Sequence, residues 1–157
     1  MKWTRVWLSL CTTIIVAVSL AGHARAAPYV PDEMSGYAIG GHDPVAYFID
    51  GRPRKGKPSH EFLWGGVVWI FVNKGNMEAF KDAPNVYAPL FAGCDAFSLS
   101  EGYATEGNPL VFAFVQGRLL FFFSDVNRFL FLSEHDELMQ RARKNAGKTG
   151  CAANRPN

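Results

Sequence analysis

Metal coordination is the chemistry that the reactive side chains of this sequence could best support. Sulfur ligands prefer Cu(I), imidazole binds copper or zinc, and carboxylates are harder ligands. No two histidines or cysteines stand at a ligand spacing such as C-x-x-C, so a site must combine distant segments. Cys94, His42 and Asp95 all lie in glycine-flanked segments that could meet at one end of a sheet. These three residues are therefore the predicted ligands of a copper or zinc ion.

Each of these residues also has a structural interpretation, and the sequence leaves both open. His42 fits a turn residue, and Asp43 fits a side chain that caps its own turn before Pro44. Cys94 could instead pair with Cys151. These are the two cysteines that remain once Cys11 is removed with the export signal predicted below, and a cysteine pair in an oxidising compartment first suggests a disulfide. The bridge would close a loop of about 58 residues and contribute roughly 4 kcal/mol in the chain-entropy estimate.

The remaining candidate donors favour structural roles. His60 opens a predicted strand and His135 opens a predicted helix, so both are expected at the surface, whereas Met77 has the helical spacing of a core residue. The sequence has no G-x-S-x-G motif, P-loop or dinucleotide fingerprint. We therefore predict that the protein is not an enzyme.

Residues 1–26 have the pattern of a secretory signal. Lys2 and Arg5 precede a mostly apolar run over 6–22, and Ala24-Arg25-Ala26 offers small residues at a cleavage site. The pattern predicts a periplasmic or secreted protein with no stable membrane insertion after signal cleavage.

Charge argues against nucleic acid as a partner. Three of the 16 basic residues lie in the predicted signal, whereas all 14 acidic residues follow it, so the mature chain is close to neutral. The basic loop over 52–57 lacks interleaved aromatic residues. No protein partner is indicated.

Short apolar runs separated by turn signals predict an α+β fold with a small antiparallel sheet built from hairpins. A first strand is predicted over 45–49. Hairpins are predicted over 60–71 and 110–123, and Asn73 should cap one short helix after the first hairpin.

The C-terminal part predicts two closing helices. Ser124 and Ser133 are suitable N-caps, and the second helix should end at about Ala146 before Gly147. Segment 85–107 gives no clear pattern, and the sequence shows no evident internal repeat.

One family resemblance runs through the order of these motifs. The segment 41–48 reads Gly-His-Asp-Pro-Val-Ala-Tyr-Phe, and a Gly/Pro loop, a Trp-bearing hairpin and a short Phe-containing helix follow. This order, continuing through 82–89 and 100–103, resembles the YHS domain family, especially its exported bacterial members. The resemblance covers roughly 36–146.

The resemblance implies a small α+β module linked to heavy-metal or copper handling. Many relatives carry a cysteine pair between strand and helix, but 71–76 holds none, and Cys94 lies one place before the expected thiol. The predicted organisation is an extended lead-in over 27–40, a YHS-like domain over 41–146 and a flexible polar tail over 147–157.

From the sequence we expect one of two functions. The first is an exported, non-catalytic binding module for a transition metal such as copper. The alternative is an accessory domain that binds a protein or a small molecule and has lost the family's metal site.

Overall fold

The computed structural model describes Tyr29 and residues 32–151. Within this part, the chain forms six α-helices, four strands and two 3-10 turns. Their order is 3-10 turn Ala38–Gly41, α1 Pro44–Ile49, β1 Lys57–Trp64, β2 Val67–Phe71, α2 Lys74–Asp82, α3 Pro84–Tyr87, 3-10 turn Leu90–Gly93, α4 Ala96–Ser100, β3 Asn108–Val115, β4 Arg118–Phe122, α5 Asp125–Ser133 and α6 His135–Thr149.

The predicted α+β class is confirmed, and so are both hairpins. β1 pairs with β2 and β3 pairs with β4, each antiparallel. Among the described residues these pairs form two separate two-stranded sheets rather than one sheet. Asn73 and Ser124 cap α2 and α5 as predicted. The predicted signal, 1–26, lies outside the described residues.

The strand predicted over 45–49 is wrong, because these residues form α1. The Asp43 carboxylate accepts hydrogen bonds from the backbone N–H groups of Val45 and Ala46, and Pro44 occupies the first helical position. An aspartate N-cap followed by proline is a strong helix start. It outweighs the strand preference of the β-branched and aromatic residues that follow.

Two predictions at the C-terminal end also need correction. α6 has no side-chain cap from Ser133, and it continues through Gly147 to Thr149. Gly150, with φ +78°, ends the helix in the left-handed conformation that favours glycine. Residues 147–149 of the predicted flexible tail are therefore helical, and 152–157 lie outside the described residues.

The described chain contains two units of the same architecture, although the sequence had indicated no repeat. The first unit (38–82) and the second unit (90–133) each contain a 3-10 turn, a short helix, a hairpin and a longer helix. Seven residues of the first unit recur 51 positions later, namely Gly51, Gly56, Pro58, Gly66, Phe71, Asn76 and Phe80.

The hydrogen bonds of the two units match. Gly56 N–H donates to the Gly41 carbonyl and Gly107 N–H to the Gly93 carbonyl, both at 3.0 Å. A Cβ on Gly56 would collide with the backbone of Ile70, and one on Gly107 would lie 2.5 Å from the Gly93 oxygen. Close backbone approach explains why both positions are glycine.

One buried aspartate joins the elements of each unit. Asp43 is fully buried, and besides capping α1 it accepts from Val72 N–H at 2.8 Å and from Asn76 Nδ2 at 2.6 Å. Asp95 is equally buried, caps α4 and accepts from Asn127 Nδ2 at 2.6 Å. Each carboxylate thereby connects a short helix to the longer helix that follows the hairpin.

Aromatic packing fills the core of each unit and the contact between them. Trp69 and Phe80 pack in the first unit, and Phe122 and Phe131 pack in the second, at ring distances of 5.0 and 5.4 Å. Tyr47 of α1 packs against Leu119 and Phe121 of β4, and this third cluster joins the two units.

Among the described residues, no helix has both the length and the apolar character that a membrane span requires.

We expect Asp43→Ala to lower the free energy of unfolding by about 3–4 kcal/mol, because it leaves several buried donors without an acceptor. Asp95→Ala should have a comparable effect. The control is Asp50→Ala, which removes only the exposed ion pair with Arg54 and should cost below about 1 kcal/mol. Urea denaturation measures all three. Equal losses for Asp43→Ala and Asp50→Ala would contradict the assigned role.

Candidate functional site

Each unit begins with a strained, left-handed stretch of backbone. In the first left-handed turn (39–41), Ile39, Gly40 and Gly41 have φ values of 46°, 59° and 72°. In the second left-handed turn (91–93), the φ values are 63°, 56° and 88°. Left-handed backbone costs an L-residue roughly 1–2 kcal/mol, and it is a genuine outlier for a β-branched residue such as Ile39.

Both left-handed turns line one cavity of about 290 Å³. Ile39 and Gly40 contribute from the first turn, and Ala92 and Gly93 contribute from the second. A Cβ placed on Gly93 would lie 3.8 Å from Cγ2 of Ile39, which shows how closely the turns approach each other. The cavity therefore lies where the two units meet.

The rest of the cavity wall is partly apolar and partly acidic. Pro109 and Phe121 add apolar surface, whereas Asp32, Glu33 and Glu106 add carboxylates. Both apolar residues have fixed positions. The Tyr47 hydroxyl donates to the Pro109 carbonyl at 2.8 Å, and Phe121 packs against the Tyr47 ring at a centroid distance of 5.5 Å. Burial raises the pKa of Tyr47, so this hydroxyl keeps its proton.

A disulfide closes one side of the cavity. Cys94 and Cys151 are bonded, with their Cα atoms 6.0 Å apart. Cys94 and Gly150 both line the cavity. Of the two roles left open for Cys94, metal ligand and disulfide partner, the structure has the disulfide. The bond ties the end of α6 to the second left-handed turn.

The three predicted metal ligands occupy matching positions in the two units. His42 and Cys94 each follow a left-handed turn, and Asp43 and Asp95 each cap the next helix. The Asp95 carboxylate accepts from Phe97 N–H, Ser98 N–H, the Ser98 hydroxyl and Asn127 Nδ2. A disulfide sulfur is not a thiolate ligand. No three His, Cys, Asp or Glu side chains within residue 29 and 32–151 could hold a metal ion together.

His42 stabilises its own turn. Its Nδ1 lies 3.0 Å from the Ile39 carbonyl oxygen, so Nδ1–H donates to a strained residue. Burial lowers the pKa of His42, and nearby Lys55 lowers it further, although the Ile39 hydrogen bond acts in the opposite direction. The imidazole is therefore neutral at pH 7.

The other candidate donors are dispersed. Met34 is almost fully exposed, and Met77 is half-buried against the aromatic cluster of the first unit. His60 lies in β1, and His135 lies at the exposed start of α6, with its Nε2 atom 3.4 Å from Asp136 Oδ1. Neither methionine and neither histidine lines the cavity.

Sequence reasoning missed the two left-handed turns and the cavity. The available signal was a repeated small-Gly-x-Asp pattern, Gly40-Gly41-His42-Asp43 and Ala92-Gly93-Cys94-Asp95, 52 residues apart. In both units it is followed by a Gly-x-Pro segment, at 56–58 and 107–109. Aligning these short patterns would have revealed the repeat.

Comparison with known proteins adds no assignment: no family model matches the chain, and neither the curated proteins nor the solved structures contain a significant match. The likeness to YHS domains therefore rests on the order of the sequence motifs alone, and function must be argued from the geometry of the site.

The disulfide predicts that thiol counting under denaturing conditions without reductant finds no free thiol in a chain of residues 27–157, in which Cys94 and Cys151 are the two cysteines. Cys151→Ser should lower the free energy of unfolding by roughly 2–4 kcal/mol, since it opens a large loop. Reduction of the wild type should give the same loss, and reductant should leave Cys151→Ser unchanged. Two free thiols in the unreduced wild type would contradict the bond.

The buried, neutral His42 predicts a pH dependence of stability. Its pKa is below 6.5 in the folded state, so the unfolded chain binds more protons as the pH falls through 6.5. Stability should be complete above this window and decline from about pH 7 towards the lower pKa of the folded state. His42→Asn should remove this part of the decline in urea titrations at a series of pH values. Superimposable profiles for wild type and variant would contradict the prediction.

Proposed function

We propose that this protein is an exported, non-catalytic binding module that holds a small molecule in the cavity between its two units. The single observation that carries the proposal is the placement of strain. Four non-glycine residues have positive φ in the described chain: Ile39, Phe91, Ala92 and Gln116. Gln116 belongs to a hairpin turn, and the other three belong to the two turns that line the cavity.

Strained backbone of this kind costs of order 1–3 kcal/mol per residue and is concentrated at functional sites. A single strained residue could be incidental to the fold. Here two separate segments, one from each unit, adopt the same left-handed conformation and meet at one concave surface. The backbone strain found in the described chain is thus concentrated in the two turns that line the cavity.

The size and rigidity of the cavity favour a small ligand. A volume of about 290 Å³ is just below the range of about 300–1,000 Å³ for pockets that take drug-sized ligands, so the ligand must be small. The disulfide at Cys94, the Tyr47–Pro109 hydrogen bond and the Gly107–Gly93 hydrogen bond hold different parts of the wall. A site that is formed before binding loses little conformational entropy when its ligand enters.

Export and the YHS-like character are inferred from the sequence alone. The small-molecule ligand corresponds to the alternative function, an accessory domain that has lost the family's metal site. The copper or zinc form has less support, because Cys94 is bonded to Cys151 and the Asp95 oxygens are used by α4 and Asn127. The cavity, in contrast, is lined by side chains of both units.

A fragment screen by ligand-observed NMR on the oxidised mature protein tests this function. We expect fragments to bind and to shift the methyl resonances of Ile39 and Ala92, which line the cavity. Ala104→Trp, at an exposed position on the cavity wall, should abolish binding, because the larger side chain would occupy space in the cavity. The control is Tyr103→Trp, since exposed Tyr103 is the adjacent residue and does not line the cavity. Binding that survives Ala104→Trp, or a screen without binders, would refute the proposal.

A further inference from the structure

The cavity wall carries charge of one sign. Asp32, Glu33 and Glu106 contribute carboxylates, whereas none of the residues lining the cavity in the described chain carries a positive charge. Lys55 adjoins this wall, because its Nζ donates to the Gly40 carbonyl at 2.6 Å. It offsets one of three negative charges, and His42 adds no positive charge because its pKa is lowered by burial.

Asp32 is held in a defined orientation at this wall. Its Oδ1 accepts from Ser35 N–H at 2.7 Å, and its backbone N–H donates to the Tyr37 carbonyl at 3.0 Å. Its Oδ2 faces the first left-handed turn, 4.0 Å from the place where a Cβ on Gly40 would lie. Hydrogen bonds from Ser35 lower the pKa of Asp32, so the carboxylate is ionised at neutral pH.

Apolar side chains form another part of the cavity wall. Phe121 is buried, with its Cδ2 atom 3.9 Å from the place of a Cβ on Gly93, and Ile39 lies 3.8 Å from the same point. Pro109 adjoins the first turn, with its Cγ atom 4.0 Å from a Cβ on Gly40. Apolar wall residues of this kind favour a ligand that also has an apolar part.

The spread of the carboxylates distinguishes between two kinds of cation. A metal ion needs several ligand atoms within one coordination sphere, and no three acidic, His or Cys side chains of residues 29 and 32–151 are so placed. An organic cation needs only a negative surface for its ammonium group and apolar contact for the rest.

We infer that the ligand of this cavity is a small organic ammonium ion, whose charge faces Asp32, Glu33 and Glu106 and whose apolar body contacts Ile39, Pro109 and Phe121. The inference rests on the proposed function and adds the chemical class of its ligand. Because Glu33 and Glu106 are exposed and Asp32 is partly buried, the attraction of these carboxylates should decrease with salt.

Isothermal titration calorimetry with three matched probes tests the inference. The probes are 2-phenylethylamine, 2-phenylethanol and phenylacetate, which share an aromatic body and differ in charge. At low salt we expect the amine to bind about tenfold more tightly than the alcohol, and the acid to bind more weakly than both. In about 0.5 M NaCl the amine should lose most of this advantage, and the affinity of the alcohol should not change.

Isosteric variants identify the groups responsible. Asp32→Asn and Glu106→Gln should each weaken amine binding about threefold, and the triple variant with Glu33→Gln should bind the amine no better than the alcohol. Glu61→Gln is the matched control, because Glu61 is exposed on β1 and does not line the cavity. It should leave all three affinities unchanged.

The possible failures separate the inference from the proposed function. Equal binding of amine and alcohol, lost in Ala104→Trp, would overturn the cationic ligand and keep the cavity as a binding site. Unchanged amine binding in the triple variant would also overturn the inference. If none of the three probes binds while the fragment screen yields neutral or anionic binders, only the inference fails. If the screen also fails, both are refuted.

Discussion

The buried carboxylate at the start of each unit is the interaction on which the rest of the structure depends. A fully buried charge is tolerated only when hydrogen bonds replace the water it has lost. Asp43 obtains these bonds from its own helix, from Val72 at the end of the hairpin and from Asn76 in α2. Satisfying the charge therefore requires three elements to be in place together. Since only His42 separates the left-handed turn from this aspartate, the same requirement also fixes the position of the turn.

The position of the cavity follows from the repetition of this arrangement in the second unit. Asp95 and Asn127 repeat the Asp43–Asn76 contact at the same 2.6 Å distance. The backbone bonds from Asp43 to Arg54 and from Asp95 to Thr105 are also equal in length, at 2.8 Å. Two such units, packed together through Tyr47 and the second hairpin, bring their left-handed turns face to face. The cavity is thus a consequence of how two copies of one architecture meet.

The sequence predicted those parts of the fold that depend on local signals. Both hairpins followed from two-residue turns between apolar runs, and α2 followed from Asn73. The error at 45–49 has a definite cause. Asp43 and Pro44 start a helix, and residues 45–49 continue it although their β-branched and aromatic types prefer strands. The helix cap therefore determined the secondary structure here, against the strand propensity.

The site was harder to predict, because its sequence signal becomes visible only when two short patterns 52 residues apart are compared. Positive φ is normally detected through glycine, but Ile39, Phe91 and Ala92 adopt it without being glycine. The three selected residues, His42, Cys94 and Asp95, do adjoin the turns. Their types suggested metal binding, whereas their contacts with Ile39, Cys151 and Asn127 show that they stabilise the framework around the cavity.

The two units stabilise their strained turns by different means. In the first, His42 Nδ1 donates to the Ile39 carbonyl and Lys55 Nζ donates to the Gly40 carbonyl, so two side chains bind the turn's own backbone. In the second, the Cys94 sulfur is bonded to Cys151 beyond α6. The Cys94 N–H bond to the Phe91 carbonyl is common to both units, because His42 N–H donates to the Ile39 carbonyl in the same way. Each turn is therefore restrained by bonds within the protein itself. The free energy that holds the strained backbone comes from the fold and not from the ligand, which is the condition for a preorganised site.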